Sequence, residues 1–250
     1  MTMPSLRHSA LITLFALSQL VATAAEPAIL AKARAYLGGD TALAAVQSIH
    51  FTGKITYFDG SQGSIELMFQ KPSRQRVIIT TDKSIEVTAL DDYEAWIRVQ
   101  DPADATKWRL TLLGKDQIKM LRANTAEQLN FFRLTGRQAG VVEDLGDVTI
   151  DGKACRKISF KRDEGILFIR YFESATGKLV LSETPLLGGK MREEGELFAG
   201  GVRFPKRYAQ TSKQQDGSER TLTIDFDKVT VNEFFPSSLF AVPSVGIGQK

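Results

Sequence analysis

The chain has 250 residues, 43% of them hydrophobic, with 32 lysines and arginines against 29 aspartates and glutamates and a formal net charge of +3. So small an excess of positive charge does not mark a nucleic-acid surface, and a chain of this length buries a sizeable core without covalent staples. One cysteine, Cys155, excludes an internal disulfide, and His50 is the only histidine beyond residue 8, which leaves no set of Cys and His for zinc.

Residues 1–25 read as a signal peptide. Arg7 gives a positive flank, residues 10–21 form a short apolar run, and Ala22-Thr23-Ala24-Ala25 supplies the small residues of a cleavage site. The run falls short of the ~20 apolar residues of a membrane span, is diluted by Ser18 and Gln19, and stops at Glu26-Pro27. The expectation is cleavage near Ala24 or Ala25 and release into the periplasm, with no lipid-attachment cysteine following. The excised segment holds one arginine and no acid, so the mature chain, residues 26–250, carries +2. ATP and NADH are not at hand in that compartment.

Two short helices open the mature chain. Pro27 suits a first helical position, Ile29, Ala33, Tyr36 and Leu37 share a face, and Gly38-Gly39 stops the helix. Asp40 caps a second helix running to Val46. From Ile49 the period changes to two. Ile49, Phe51, Ile55 and Tyr57 alternate with polar residues, a turn follows at 59–63, and Ile65, Leu67 and Phe69 return. Further strands are expected at 76–81, 85–90, 93–99 and 108–112. Their short joins make them antiparallel neighbours.

Residues 115–134 break this pattern. Ile118, Leu121, Leu129 and Phe132 fall near one helical face, widened by Met120, Phe131 and Leu134. Thr125 with Gln128 three residues later forms a capping-box pattern, so the reading is two helices hinged near Asn124. Strands resume at 148–150, 155–161, 167–172, 179–183, 193–198, 204–211 and 221–229, separated by Gly-containing turns. The fold class is therefore mainly β (α+β): a single domain, 26–250, with one curved antiparallel sheet wrapped over helices and a helical insertion at about 115–135.

Several stretches resemble envelope proteins of the outer-membrane lipoprotein-sorting type, the LolA/LolB-like family. They are Tyr36-Leu37-Gly38-Gly39-Asp40 running through Ala42 to Ile49 and Gly53, Asp151-Gly152-Lys153 with Tyr171-Phe172 and Thr176-Gly177-Lys178-Leu179, Gly201-Val202-Arg203-Phe204-Pro205, and Val231-Asn232 with Phe235-Pro236 and Leu239 to Pro243. The resemblance covers most of the mature chain. It implies a half-open β-barrel whose concave side is closed by helices and, in the carriers, an apolar hollow that holds acyl chains. It carries over no individual site residue.

No catalytic constellation accompanies these motifs. His50 lies on the polar face of its strand and reads as solvent-facing, without a Gly-x-Ser-x-Gly elbow. The acids, including Asp163-Glu164, Glu193-Glu194-Glu196 and Asp225 with Asp227, read as solvated faces. The basic cluster Arg203, Lys206 and Arg207 reads likewise, with acidic lipid headgroups as its alternative partner. Gly246-Ile247-Gly248 leads into no helix and makes no phosphate loop. No cofactor, no metal and no enzymatic activity are expected.

The apolar surplus is more informative, because a curved sheet that few helices can fill leaves part of its inner face to line a pocket. The candidate lining residues are Phe51, Ile55, Leu67, Phe69, Val77, Ile79, Trp108, Leu121, Phe131 and Phe132. The first reading is a periplasmic carrier or chaperone for a lipid, a lipoprotein acyl chain or another apolar molecule, with residues 115–134 as lid. The second is a non-catalytic envelope protein-interaction module with a filled core, and the third an envelope hydrolase using paired acids.

Overall fold

Where the sequence alternates, the backbone is extended and paired with its neighbour in the chain. The computed structural model describes residues 26–133, 140–162, 165–214 and 216–243. The expected signal peptide, Leu134, the Asp163-Glu164 turn and the Gly246–Gly248 stretch lie outside the described residues. Helices α1 (Ala28–Leu37) and α2 (Asp40–Ala45) precede strands β1 (Ser48–Thr56), β2 (Gln62–Gln70), β3 (Arg74–Thr80), β4 (Ile85–Asp91), β5 (Glu94–Gln100) and β6 (Trp108–Leu112). Helix α3 (Lys115–Asn130) leads to β7 (Gly140–Ile150), β8 (Lys153–Arg162), β9 (Leu167–Glu173), β10 (Leu179–Thr184) and β11 (Gly189–Glu194). Then come β12 (Leu197–Ala199), β13 (Val202–Phe204), β14 (Arg207–Lys213) and β15 (Glu219–Val231).

Thirteen strands form one sheet in the order β6-β5-β4-β3-β2-β1-β15-β14-β11-β10-β9-β8-β7. Its edges, β6 and β7, do not meet, so the sheet is open, in keeping with a half-open barrel. The first limb is a meander of β1 to β6. The second limb comes from the rest of the chain, and the antiparallel pair β1–β15 joins the two. The run expected at 193–198 divides at Gly195, whose φ is 62°. Beyond it β12 and β13 make a separate two-stranded sheet, and Pro205 then separates β13 from β14. Gly53 sits at the register shift between β1 and β15. A Cβ there would stand 2.2 Å from the Asp225 carbonyl oxygen, so the seam closes only over glycine. Gly38, at φ 135°, ends α1, and a Cβ there would stand equally close to the Gly201 carbonyl oxygen.

Ladder partners assign the faces. Phe51, Leu67 and Val77 stand opposite one another across β1, β2 and β3, and Phe69 stands opposite Gln75. This is the inner face. On the second limb Gln210, Met191, Ser182 and Arg170 run across β14, β11, β10 and β9 in the same way. Two clusters pack on this side. Phe51, Phe69, Phe204 and Phe226 gather around Leu43 and Val46, with Leu129 and Phe131. Leu30 and Ala33 of α1 pack with Ile158, Phe160, Phe172 and Phe132.

Helix α3 corrects the expectation of a hinge. It runs unbroken through Asn124, because Thr125 sits in mid-helix and caps nothing. Its hydroxyl donates to the Leu121 carbonyl at 2.8 Å and stands 2.9 Å from the Gln75 side-chain amide. The helix packs against β2, β3 and β4. It ends in two left-handed phenylalanines, Phe131 (φ 47°) and Phe132 (φ 67°). Each such residue costs ~1–2 kcal/mol, offset by burial of the two rings in different clusters, Phe132 edge-on to Phe172 at 4.9 Å.

The outer face of the first limb is not left to solvent. The segment after β15 folds back over it: Phe235 and Phe240 pack on Met68, and Val242 packs with Val87 and Trp96. The Trp96 indole N–H donates to the Phe240 carbonyl at 2.9 Å. His50 is therefore half-buried, which corrects its reading as solvent-facing. Its ring nitrogens lie 2.7 Å from Glu233 Oε2 and 2.7 Å from Glu66 Oε1, and Phe235 stands edge-on to it.

Candidate functional site

A cavity of about 250 Å³ lies between the two limbs beside α3. Leu67, Phe69 and Val77 line it from the first limb, Phe168 and Met191 from the second. Residues so far apart in the strand order face one cavity only if the sheet bends around it. Polar side chains, Gln75, Thr184 and Gln210 among them, complete the lining. A smaller space of about 60 Å³ adjoins, lined by Phe131, Phe132, Glu193 and Tyr208.

The inner wall also holds charge. Glu127 of α3 is buried between two arginines. Its Oε1 accepts a hydrogen bond from Arg162 Nη2, and its Oε2 accepts from Arg170 Nε at 2.9 Å and from Nη2. Arg170 Nη1 donates to Ser182 Oγ at 3.0 Å. The Arg170 guanidinium stands 5.6 to 5.8 Å from the rings of Phe132, Phe160 and Phe168. Burial works to raise the Glu127 carboxyl, but the two guanidiniums overrule it and hold it below the usual carboxylate range. Glu193 has the opposite balance: burial pushes it up to about 7, and Arg170 and Lys178 draw it back only in part. Tyr208 beside it is raised by burial and by the Glu193 charge. Arg122 adds a second fastening for α3, donating to Asp92 Oδ1 at 2.6 Å and lying 3.9 Å from the Tyr93 ring.

The structure distributes the ten candidate residues unevenly. Leu67, Phe69 and Val77 line the cavity, and Phe131 and Phe132 line the smaller space. Phe51 lies within the filled core, Ile55 is buried at the end of β1, and Ile79 and Leu121 are half-buried outside the cavity. Trp108 is corrected: it is 43% exposed on the outer face. The ladder runs inward through Thr88, Ile97 and Thr111, so Trp108, three residues from Thr111, points the other way. The apolar alternation of β6 continues the outer cluster of Trp96 and Leu110. Arg203 and Arg207, read as solvated or lipid-facing, bond to Glu196 and Asp225.

Glu127, Arg162, Arg170, Ser182 and Met191 were not among the candidates. The signal for the arginines was present. Arg162 is in phase with Ile158 and Phe160, and Arg170 with Phe168 and Phe172, so each places a charge on an otherwise apolar strand face. Among the described residues no helix is long and apolar enough to cross a membrane.

No protein-family model matches the chain, and no curated protein matches it. Solved structures do. The fold is similar to a LolA superfamily protein from Nitrosomonas europaea, with a TM-score of 0.52 and 14% identity over 86% of this chain and 96% of that one. It is similar to a protein from Vibrio parahaemolyticus described as an outer membrane lipoprotein-sorting protein domain, at TM-score 0.53 and 10% identity over 85% and 94% of the two chains. A DUF1329 family protein from Desulfovibrio piger matches at TM-score 0.52 and 10% identity over 86% and 96%. The chain thus has the LolA-like fold; at these identities the likeness is one of architecture.

Proposed function

We propose that this protein is an exported, single-domain carrier or chaperone, without enzymatic activity, that holds the apolar chain of a lipid or acylated protein in the cavity between its limbs. The observation that carries this reading is the cavity itself, with Leu67, Phe69, Val77, Phe168 and Met191 facing it from both limbs. A methylene takes about as much room as a water molecule, ~30 Å³, so the cavity holds roughly eight. At ~0.8 kcal/mol each, their transfer contributes about 6 kcal/mol before ordering costs. A sixteen-carbon chain needs more room, and α3 is the element whose displacement makes it. Covering of the inner face by the helices and export to the periplasm, with delivery at a membrane surface or to an envelope partner, belong to the same proposal.

The test is binding of N-phenyl-1-naphthylamine, an apolar fluorescent probe, to the wild type and to Leu67→Asp. Leu67 is half-buried at the margin of the first core cluster and faces the cavity, so the variant sets a carboxylate in the probe's path without replacing a fully buried side chain. Affinity is expected to fall at least tenfold with an unchanged far-ultraviolet circular dichroism spectrum. Equal affinity removes the cavity as the binding site.

The free sheet edges favour a second reading. Leu112 on β6 and Val141 and Leu145 on β7 are exposed at strands that lack an outer neighbour among the described residues. Strand addition by a protein partner suits such edges. That partner protects β6 or β7 amides from hydrogen exchange, whereas an acyl ligand does not.

A further inference from the structure

We infer that the ligand is an amphiphile with an anionic head, a carboxylate or a phosphate, and that this head takes the place of Glu127 against the arginines of the inner wall. The inference rests on the carrier reading and deepens it by naming the chemistry of the ligand's polar end.

The cavity is lined by Glu127 and Arg170 as well as by apolar side chains. A wholly apolar guest meets there a carboxylate bound by two guanidiniums. A guest that ends in an anion can replace that carboxylate and keep the arginine hydrogen bonds made. The cations and the acid differ in how they are held. Arg162 and Arg170 stand on β8 and β9, adjacent strands in the sheet ladder, and the Arg170 guanidinium is further set among three phenylalanine rings and bonded to Ser182. The donor fork is therefore in place before any anion arrives. Glu127 stands on α3, which belongs to no ladder. Exchange of one anion for another leaves the charge of the wall unchanged, returns Glu127 to water and loosens the helix whose displacement a longer chain requires. Glu193, the second acid at this wall, holds its proton more tightly than an ordinary glutamate, which weakens its repulsion of an incoming anion.

The experiment displaces N-phenyl-1-naphthylamine with decanoate, decyl phosphate or decanol, each below its micelle or solubility limit. Their tails match, so tail burial cancels. A charged hydrogen-bonded head is expected to bind about tenfold tighter or more than the alcohol. Hydrogen exchange across residues 115–130 is expected to speed up with the bound anion and not with decanol. Glu127→Gln is expected to tighten the anions and leave decanol as it was. Should that variant not fold, the wild-type comparison of the three heads stands on its own. An advantage for decanoate alone or decyl phosphate alone supports the inference and tells which head the site takes. If the three heads displace the probe equally and α3 exchange is the same with each, the inference is overturned while the cavity reading stands. If none displaces a probe that Leu67→Asp releases, the anionic head is again overturned. If the probe does not bind at all, the carrier reading itself falls.

Discussion

Glu127→Gln tests whether α3 is locked to the second limb by charge. The side chains of Glu127, Arg162 and Arg170 are 4%, 2% and 8% exposed. In so dry a setting the net worth of an ion network is small, but removing one partner leaves the others desolvated and uncompensated, at ~3–5 kcal/mol. Glutamine keeps the shape and still accepts a hydrogen bond, which sets the expectation at the low end, about 3 kcal/mol. For a domain of this size each kcal/mol moves Tm by ~2–4 °C, so a drop of roughly 6–12 °C is expected. Urea denaturation of wild type and variant at pH 7 measures it, with equal m-values as the check that both unfold alike. The pH dependence gives an independent reading. The folded Glu127 carboxyl titrates below its unfolded value. Its contribution is complete above the ordinary glutamate value of ~4.3 and is lost as pH falls through the folded one. The gap between wild type and variant is therefore full at pH 7 and narrows on strong acidification. A gap below about 1 kcal/mol at pH 7, or one that acid leaves unchanged, refutes the lock.

Glu193→Gln works the other way. A carboxyl raised to about 7 costs stability as pH rises from its unfolded value towards 7, so the variant should be more stable than wild type by about 1–3 kcal/mol at pH 8 and little different at pH 5, read from thermal melts at the two values. Gly53→Val places a side chain against the Asp225 backbone. It should destabilise by about 3 kcal/mol or more, whereas the same change at Gly60, where a Cβ meets nothing within 4 Å, is limited to the strain of its positive φ, ~1–2 kcal/mol. Trp96→Ala removes a fully buried indole and its bond to Phe240 and should cost about 3–5 kcal/mol, while Trp108→Ala on the exposed outer face should stay within about 0.5 kcal/mol; equal losses in urea melts would show that the face assignment of β6 is wrong.

The period-two runs announced the first limb almost strand for strand, because each strand there pairs with its neighbour in sequence and buries one face. The second limb was harder to read. The run at 193–198 has strand composition throughout, and only the backbone of Gly195 divides it. Asn124-Thr125 carried a local capping signal that lost to helix packing, since Thr125 found a partner in Gln75, fifty residues away. Trp108 and His50 were misplaced for one reason: alternation gives two faces but not which is inner, and the C-terminal cover on the outer face of the first limb turned a polar face into a half-buried one. In the candidate site, apolar residues were legible as a class. Their division between filled core and open cavity was not, because Phe51 and Leu67 are directly opposite each other and differ in what distant parts of the chain bring against them, Phe204 and Phe226 lying on Phe51. The ion triad escaped notice because its members come from a helix and two strands that no sequence spacing brings together.

The pairing of β1 with β15 sets the order in which the molecule can be made. The earliest strand pairs at once with β2, but its other edge is filled only when β15, near the end of the chain, has appeared. Until then the two ribbons share no ladder in the sheet, and what spans them is side-chain contact such as that of α3, packed on β2 to β4 and bonded through Glu127 to β8 and β9. A chain cut short before residue 219 thus lacks the seam that makes one sheet of the two limbs, and the continuous wall around a guest is finished only with the last strand.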